Sequence, residues 1–357
     1  MIKIYEPYCI AESSTLAKVT IDAGRLTCHN EEFRDVANRL TKLHDRPAVP
    51  VFNGTCATHL AFKAMKMKVP RLKRVIVPNN VYVAAWNSML MDGDLELVPI
   101  DADDKTWCVD IEKLSNELRS SDPEDTGVLI VHNVGGIVNV PRLIREFPHH
   151  TFIEDNCEGF LGKYEGKLSG TASLASSISF YANKTITCGE GGAVIIDPSL
   201  QEIIERTQSQ GQTSTRYVHD ILAYNYRMTN TQAAMLIGQL DLLSEIVERK
   251  SRIFELYRQL LSEKFEFQVP EMNTVHSGWM FAVRVRGGDY YQMSFEEKFE
   301  TRPMFHPISV HRHLSKFAKD ETVAKQLSKE CFMLPSHPGL TEDDVRIVTS
   351  ILNEKVA

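Results

Sequence analysis

The sequence lacks the features that mark several classes of protein. It has no C-x-x-C pair and only seven scattered cysteines, an odd number, which argues against a disulfide framework or a zinc site and favours a reducing compartment. No apolar run approaches membrane-spanning length, and residues 1–7 form no signal-peptide h-region, so we expect a cytoplasmic protein without membrane contact. With Lys+Arg 40 against Asp+Glu 47 and no basic stripe, we expect no nucleic-acid partner.

Two kinds of ligand site are also missing. The pairs His149–His150 and His311/His313 have no cysteine or acidic partner at metal-ligand spacing, so the sequence predicts no metal site. The segment Gly189-Glu190-Gly191-Gly192 lacks the G-x-x-x-x-G-K-[ST] arrangement of a phosphate loop. It is interpreted as a tight turn between two strands.

Short apolar runs alternate with helix-length segments over most of the chain. This alternation predicts the α/β class, with a mostly parallel central sheet that helices cover on both faces. In such sheets ligands bind at the carboxyl ends of the strands, so the polar residues that follow each strand are the candidates for a site. The predicted strands are Arg74–Pro78, Leu95–Asp101, Gly127–His132, Thr151–Asp155, Ser176–Phe180 and Gly192–Asp197, and the predicted helices are Ala57–Met67, Ala84–Met91, Ile111–Arg119 and Gln201–Ser209.

The pattern changes after about residue 230, and the sequence predicts a large domain over residues 1–240 and a smaller α+β domain over 241–357. A capping-box-like start at Thr341 opens the last predicted helix. The elements predicted in this part are a long helix over Thr231–Lys264, strands over Phe265–Val269 and Trp279–Val285, a helix from about Ser294, and the last helix to Val356.

Lys184 lies between two apolar segments that are predicted to be buried strands. Desolvation favours the neutral amine that attacks carbonyl groups, so a lysine held there suits a Schiff base. The alternative is a structural lysine or one paired with a carboxylate, which is the commoner role of a single lysine taken alone.

Other residues match the needs of a pyridoxal phosphate (PLP) site. Asp155 ends a predicted strand, where its carboxylate either pairs with a protonated ring nitrogen or caps the next turn. Gly54 and Thr55 precede a helix whose first amides suit a phosphate, to which Ser179 would add a hydroxyl. Tyr82 either stacks on a flat ring or belongs to the core.

Taken in order, these segments closely resemble the DegT/StrS family of sugar aminotransferases, which are fold-type I PLP enzymes. The resemblance covers nearly the whole chain and implies that fold, PLP or its amine form PMP as cofactor, and a nucleotide-linked keto sugar as substrate. The segments that carry it are 53–55, Tyr82, 154–158, 179–192, 224–230, 301–303 and 334–336.

The resemblance also implies a role for each matching position. Lys184 would form the Schiff base and move the proton between cofactor and sugar. The implied cofactor contacts are Asp155 at the pyridinium nitrogen, Glu158 near the ring hydroxyl, Gly54, Thr55 and Ser179 at the phosphate, and Tyr82 on the ring. Asn225 would reach the phosphate of the partner subunit, which implies a homodimer with shared active sites. Arg227, Asn183 and Thr27 would meet the substrate.

The run 183–192 resembles the C4-acting branch of the family, such as perosamine and viosamine synthases, rather than the Lys-Asn-Leu version of C3-acting members. Lys184 also argues against the dehydratase branch, where histidine replaces the lysine. The expected reaction is therefore transamination of a nucleotide-linked 4-keto-6-deoxy sugar, with glutamate as amino donor. The alternatives are a 3-aminotransferase for a 3-keto sugar, a PLP-binding regulator without turnover, and a nucleotide-binding module.

Overall fold

The computed structural model describes residues 1–28, 30–293 and 298–356. Its strands are β1 (Ala48–Val51), β2 (Arg74–Pro78), β3 (Glu96–Ile100), β4 (Thr126–Val131), β5 (Thr151–Asp155), β6 (Lys163–Tyr164), β7 (Lys167–Leu168), β8 (Ala175–Ser179), β9 (Gly192–Ile196), β10 (Glu266–Phe267), β11 (Thr274–Val275), β12 (Phe281–Arg284), β13 (Arg302–Pro303) and β14 (Cys331–Leu334). Its helices are α1 (Ile10–Ser13), α2 (Thr15–Asp22), α3 (Glu31–His44), α4 (Gly54–Lys68), α5 (Ala84–Leu90), α6 (Ile111–Ser120), α7 (Val140–Glu146), α8 (Gln201–Gln208), α9 (Asn230–Asp241), α10 (Leu243–Leu260), α11 (Thr322–Glu330) and α12 (Glu342–Lys355).

The main sheet has seven strands in the order β1-β9-β8-β5-β4-β2-β3. Only β9 runs against its two neighbours, and the pairs from β8 to β3 are all parallel. All residues of β4, β8 and β9 are buried, as expected for strands with helices on both faces. The predicted α/β class and mostly parallel sheet are confirmed.

A second, four-stranded sheet has the order β10-β12-β14-β13 and is antiparallel throughout. One of its faces shares a hydrophobic core with α10 and α12. The capping box predicted at Thr341 is present, with the Thr341 hydroxyl and the Asp344 carboxylate bonded to each other's backbone amides. All strands of this sheet come from beyond residue 265. The domain boundary near residue 240 stays a prediction.

The prediction of one long helix over Thr231–Lys264 is wrong, because two helices, α9 and α10, meet at Leu242. The two helices have different partners: α9 packs on α2 and α3, and α10 packs on α12, so their apolar faces diverge. The helix predicted from about Ser294 begins on residues outside the described ones. Among the described helices, none has both the length and the hydropathy needed to cross a bilayer.

Candidate active site

A cavity of about 460 Å³ opens at one edge of the main sheet. Val131, Asp155 and Ser179, the last residues of β4, β5 and β8, all line it. Parallel strands bring their carboxyl ends to the same edge, which is where ligands bind in sheets of this kind. The position of the cavity therefore follows from the topology of the sheet.

One end of the cavity is the N-terminus of α4. The Asn53 side chain accepts a hydrogen bond from the Cys56 amide at 2.9 Å, which leaves the Gly54 and Thr55 amides without an acceptor among the described residues. A Cβ on Gly54 would lie 2.9 Å from the Ser179 hydroxyl oxygen, so only glycine allows this close approach. Free amides at the positive end of a helix, with a hydroxyl beside them, form a cradle for a phosphate.

Asp155 is buried at the floor of the cavity, with 7% of its surface exposed. Its Oδ1 accepts hydrogen bonds from the Cys157 amide at 3.0 Å and the Ser177 hydroxyl at 3.4 Å. Ser177 in turn accepts a hydrogen bond from the Thr58 hydroxyl at 2.9 Å. These contacts fix the orientation of the carboxylate. Among the described residues, none donates a hydrogen bond to Oδ2, so this oxygen is available to a ligand.

Lys184 lies in the loop between β8 and β9, as its flanking apolar runs predicted. Its Nζ is 3.8 Å from Oε1 of Glu158 and 4.1 Å from the centroid of the Trp279 ring. The indole N–H of Trp279 donates a hydrogen bond to the Asn183 carbonyl at 3.0 Å, so the same side chain also holds the lysine loop. A carboxylate and an aromatic face both attract an ammonium, and together they hold the amine at the cavity wall.

Glu158 is a buried carboxyl, and this burial raises its pKa to about 7 although nearby Lys184 lowers it. Its Oε2 accepts a hydrogen bond from the Val134 amide at 2.8 Å. Val134 is buried and has a φ of 55°, a strained conformation for a β-branched residue. Strained backbone is maintained where the surrounding structure fixes it, and here it directs an N–H at the carboxyl beside Lys184.

Glu158→Gln is expected to flatten the pH dependence of stability of the ligand-free protein. The folded chain keeps the Glu158 proton up to about pH 7, whereas the ordinary pKa of a glutamate carboxyl is 4.5, so this group lowers the free energy of unfolding as pH rises between these values. The loss over this window is ~3 kcal/mol at most. Urea denaturation at about pH 5, 6, 7 and 8 measures the slope for the wild type and the variant.

The exposed residue Glu112 on α6 provides the control Glu112→Gln, which should keep the wild-type slope. A Glu158→Gln protein with the same slope as the wild type would contradict the raised pKa of this carboxyl.

Tyr82 is 59% exposed and lines the cavity, so its alternative interpretation as a core tyrosine is wrong. Its ring centroid lies 6.1 Å from that of Phe305, another residue of the cavity wall. Asn183 also lines the cavity, next to Lys184. The structure thus brings most of the candidate residues together, namely Gly54, Thr55, Tyr82, Asp155, Glu158, Ser179, Asn183 and Lys184.

Three candidate residues, Asn225, Arg227 and Thr27, do not line this cavity. Asn225 and Thr27 are exposed. Arg227 instead donates hydrogen bonds to the Cys28 sulfur and the Ser209 hydroxyl, both at 3.0 Å. These residues therefore belong to a surface of the chain outside its own cavity.

The sequence interpretation missed several cavity residues that the four-stranded sheet and its connections supply. Trp279 precedes β12, Arg302 opens β13, and Met333 belongs to β14. The sequence gives Arg302 no role beyond its place in segment 301–303, one of those that carry the family resemblance. The only signal for Trp279 was its place at the start of a predicted strand, which does not indicate that the strand faces the cavity.

Known proteins share sequence and fold with this chain. The profile of the DegT/DnrJ/EryC1/StrS aminotransferase family matches residues 11–353. GDP-perosamine synthase of Vibrio cholerae is 30% identical over 372 residues, covering 99% of this chain and 98% of that protein. GDP-perosamine synthase of Escherichia coli O157:H7 is 27% identical over 362 residues, with the same coverage of 99% and 98%.

The fold is also similar to that of a solved mutant of GDP-4-keto-6-deoxymannose-3-dehydratase with bound GDP-perosamine. The TM-score is 0.88 at 19% identity, and the match covers 99% of this chain and 100% of that chain. At this identity the likeness extends to the fold alone.

Proposed function

Because this chain belongs to the DegT/DnrJ/EryC1/StrS aminotransferase family, we propose that it transfers an amino group to C4 of a nucleotide-linked 4-keto-6-deoxy sugar. The chain is a PLP-dependent aminotransferase. Glutamate is proposed as the amino donor. The observation that carries the proposal is the convergence of Lys184, Asp155 and the Gly54–Thr55 turn in one cavity.

PLP fits the groups that line this cavity. The α4 amides and the Ser179 hydroxyl suit its phosphate, and the free oxygen of Asp155 suits its ring nitrogen. Tyr82 would stack on the ring, and Glu158 would lie near the ring hydroxyl. When bound, the cofactor supplies an electron sink for the exchange of amine and ketone.

Lys184 is assigned as the residue that moves the proton at the reacting carbon, first as base and then as acid. Its Nζ is held between Glu158 and the Trp279 ring, which limits the directions in which the amine points. The side chain is 13% exposed, so water has little access to it. Asp155 keeps its orientation through its hydrogen bonds to Cys157 and Ser177.

The assignment to C4 is supported by two findings. The run 183–192 resembles the C4-acting branch, and the two GDP-perosamine synthases match the chain over nearly its full length. The identity of the nucleotide is part of the test.

The experiment follows the visible absorbance of the purified, PLP-loaded protein through two half-reactions. Glutamate should convert the cofactor to its amine form, and one sugar from a panel of GDP-, UDP- and dTDP-linked 4-keto-6-deoxy sugars should reverse the change. NMR of the product should place the new amine at C4. An amine at C3 would replace the proposal by 3-amino transfer, and a protein that holds PLP but aminates no keto sugar would favour the regulator.

The proposal includes a homodimer with shared active sites, supported by the direction of Asn225. Its neighbours Tyr224 and Tyr226 stack with ring centroids 4.9 Å apart. Both point inward: the Tyr224 hydroxyl donates to Asp92 at 2.6 Å, and Tyr226 contacts the His59 ring nitrogen at 3.1 Å. In an extended segment the residue between them projects the other way, so Asn225 points out of its own subunit.

The surface outside the cavity also exposes large apolar side chains, an unusual feature for a monomer when they form one patch. Those on or near the segments of Thr27 and Asn225 are Leu26 (55% exposed), Phe52 (43%) and Leu222 (87%). A second copy of the chain is the proposed cover for them.

Mixing two inactive variants tests the shared site. Lys184→Ala and Asn225→Ala homodimers should each have little or no activity, because each lacks one contribution to both sites. After subunit exchange, half of the dimers are hybrids, and one of the two sites in each hybrid is intact. Activity should therefore recover to about one quarter of wild type. No recovery, with exchange verified by mass labelling, would contradict a site shared between subunits.

A further inference from the structure

Arg302 is a cation of the cavity wall to which none of the described residues supplies an acidic partner. It lines the cavity, and its guanidinium carbon lies 5.0 Å from the centroid of the Tyr5 ring. Within residues 1–28, 30–293 and 298–356, no carboxylate oxygen lies within 4.0 Å of it. By contrast, Arg284 on the same sheet is paired with Asp104 and Glu330, both at 2.6 Å.

The backbone of Arg302 is held by regular structure. Arg302 pairs with Met333 of β14, and Met333 is also opposite Ala282 of β12. Neighbouring strands are ~4.8 Å apart, so Arg302 lies ~10 Å from the aligned residue of β12. Trp279 and Met280 directly precede β12, and both line the cavity.

Arg302 therefore belongs to the wall that carries Trp279, whose ring lies 4.1 Å from Nζ of Lys184. The phosphate cradle, by contrast, is built by α4 and β8 of the main sheet. Lys184 already has Glu158 as its carboxylate neighbour. An anionic substrate group that comes close to the reacting amine would thus find a guanidinium available in Arg302.

We propose that Arg302 binds the carboxylate of the amino donor, an α-amino acid. The inference rests on the proposed function. A planar guanidinium matches a carboxylate with two parallel hydrogen bonds. In an amino acid the carboxylate is attached to the same carbon as the reacting amine, whereas the diphosphate of the proposed acceptor is attached to C1, across the sugar ring from C4. An anion site on the Lys184 side of the cavity therefore suits the donor.

The test compares PLP-loaded wild type, Arg302→Gln and Arg302→Lys. Arg346→Gln, an exposed site on α12, is the control for the loss of one positive charge. Titration with L-glutamate, followed by the cofactor absorbance, should require roughly 10- to 100-fold more glutamate for half-conversion in Arg302→Gln. Arg302→Lys should require a glutamate concentration between those of the wild type and Arg302→Gln, since lysine keeps the positive charge but cannot form two parallel hydrogen bonds. The control should match the wild type.

Calorimetric titration with glutarate, a dicarboxylate without an amine, reads out binding without turnover. Glutarate should bind the wild type and Arg346→Gln, and it should bind Arg302→Gln at least roughly tenfold more weakly. A separate titration starts from the amine-loaded enzyme and measures the acceptor half-reaction with the keto sugar. That half-reaction should change little in Arg302→Gln.

Two results would overturn the inference. One is an Arg302→Gln protein, folded as judged by its thermal unfolding, that keeps wild-type titrations with glutamate and glutarate. The other is a loss confined to the acceptor half-reaction, which would assign the guanidinium to the diphosphate of the sugar. The wild type could also fail to aminate any 4-keto sugar while Arg302→Gln still binds glutamate more weakly. That result would support the role of Arg302 and reject the proposed acceptor, so failure of the inference and failure of the proposed function are distinguishable.

Discussion

Lys184→Ala is expected to reduce amino transfer by ~10⁴-fold or more, because it removes both the nucleophilic amine and the group assigned to proton transfer. The visible absorbance of the bound cofactor should shift to that of free PLP. Lys184→Arg should be equally inactive, since a guanidinium keeps the positive charge but does not lose its proton in proteins. Rates of the glutamate half-reaction and absorbance spectra of the PLP-loaded variants measure both effects.

The controls separate chemistry from folding. Lys264 is exposed and outside the cavity, so Lys264→Ala should retain wild-type rates. A small amine such as methylamine should restore part of the Lys184→Ala rate if the missing function is that of a base. Wild-type turnover in Lys184→Ala or Lys184→Arg would refute the assignment of Lys184 and with it the proposed mechanism.

The sequence predicted the buried parallel strands best, because they are nearly continuous apolar runs between polar residues. β2 and β5 have the predicted bounds, and β3, β4, β8 and β9 differ by one residue at one or both ends. β1 was missed because Pro50 interrupts a run of only four residues. A proline is tolerated there since β1 is the edge strand of the main sheet, next to β9.

The site was predictable only where single segments carry it. The β1–α4 turn, the end of β5 and the lysine loop each combine strand, turn and polar residue within a few positions. Trp279 and Arg302 enter the cavity because the four-stranded sheet packs beside the main sheet, and no local spacing encodes that placement. The same holds for the 3.8 Å contact of Lys184 with Glu158.

The structure shows Asp155 as a turn cap and also places its carboxylate at the cavity, so the role at a ring nitrogen stays a prediction. Its Oδ1 caps the following turn through the Cys157 amide at 3.0 Å, and its carboxylate lines the cavity. Asp155→Asn separates the two, because the amide oxygen still accepts from Cys157 while the negative charge is gone. The turn and the fold should therefore survive, and only a function that needs the charge should fail.

Asp155→Asn is expected to slow both half-reactions by ~10²- to 10³-fold, since a buried positive ring nitrogen that loses its charged partner costs ~3–5 kcal/mol. Asp197 is the matched control: it follows β9 and caps its turn through the Ser199 amide at 3.0 Å, but it does not line the cavity. Asp197→Asn should keep wild-type rates. Stopped-flow absorbance with glutamate, together with thermal unfolding, tests the pair. If Asp155→Asn kept wild-type rates as well, its carboxylate would be a turn cap alone and the ring nitrogen would need another partner.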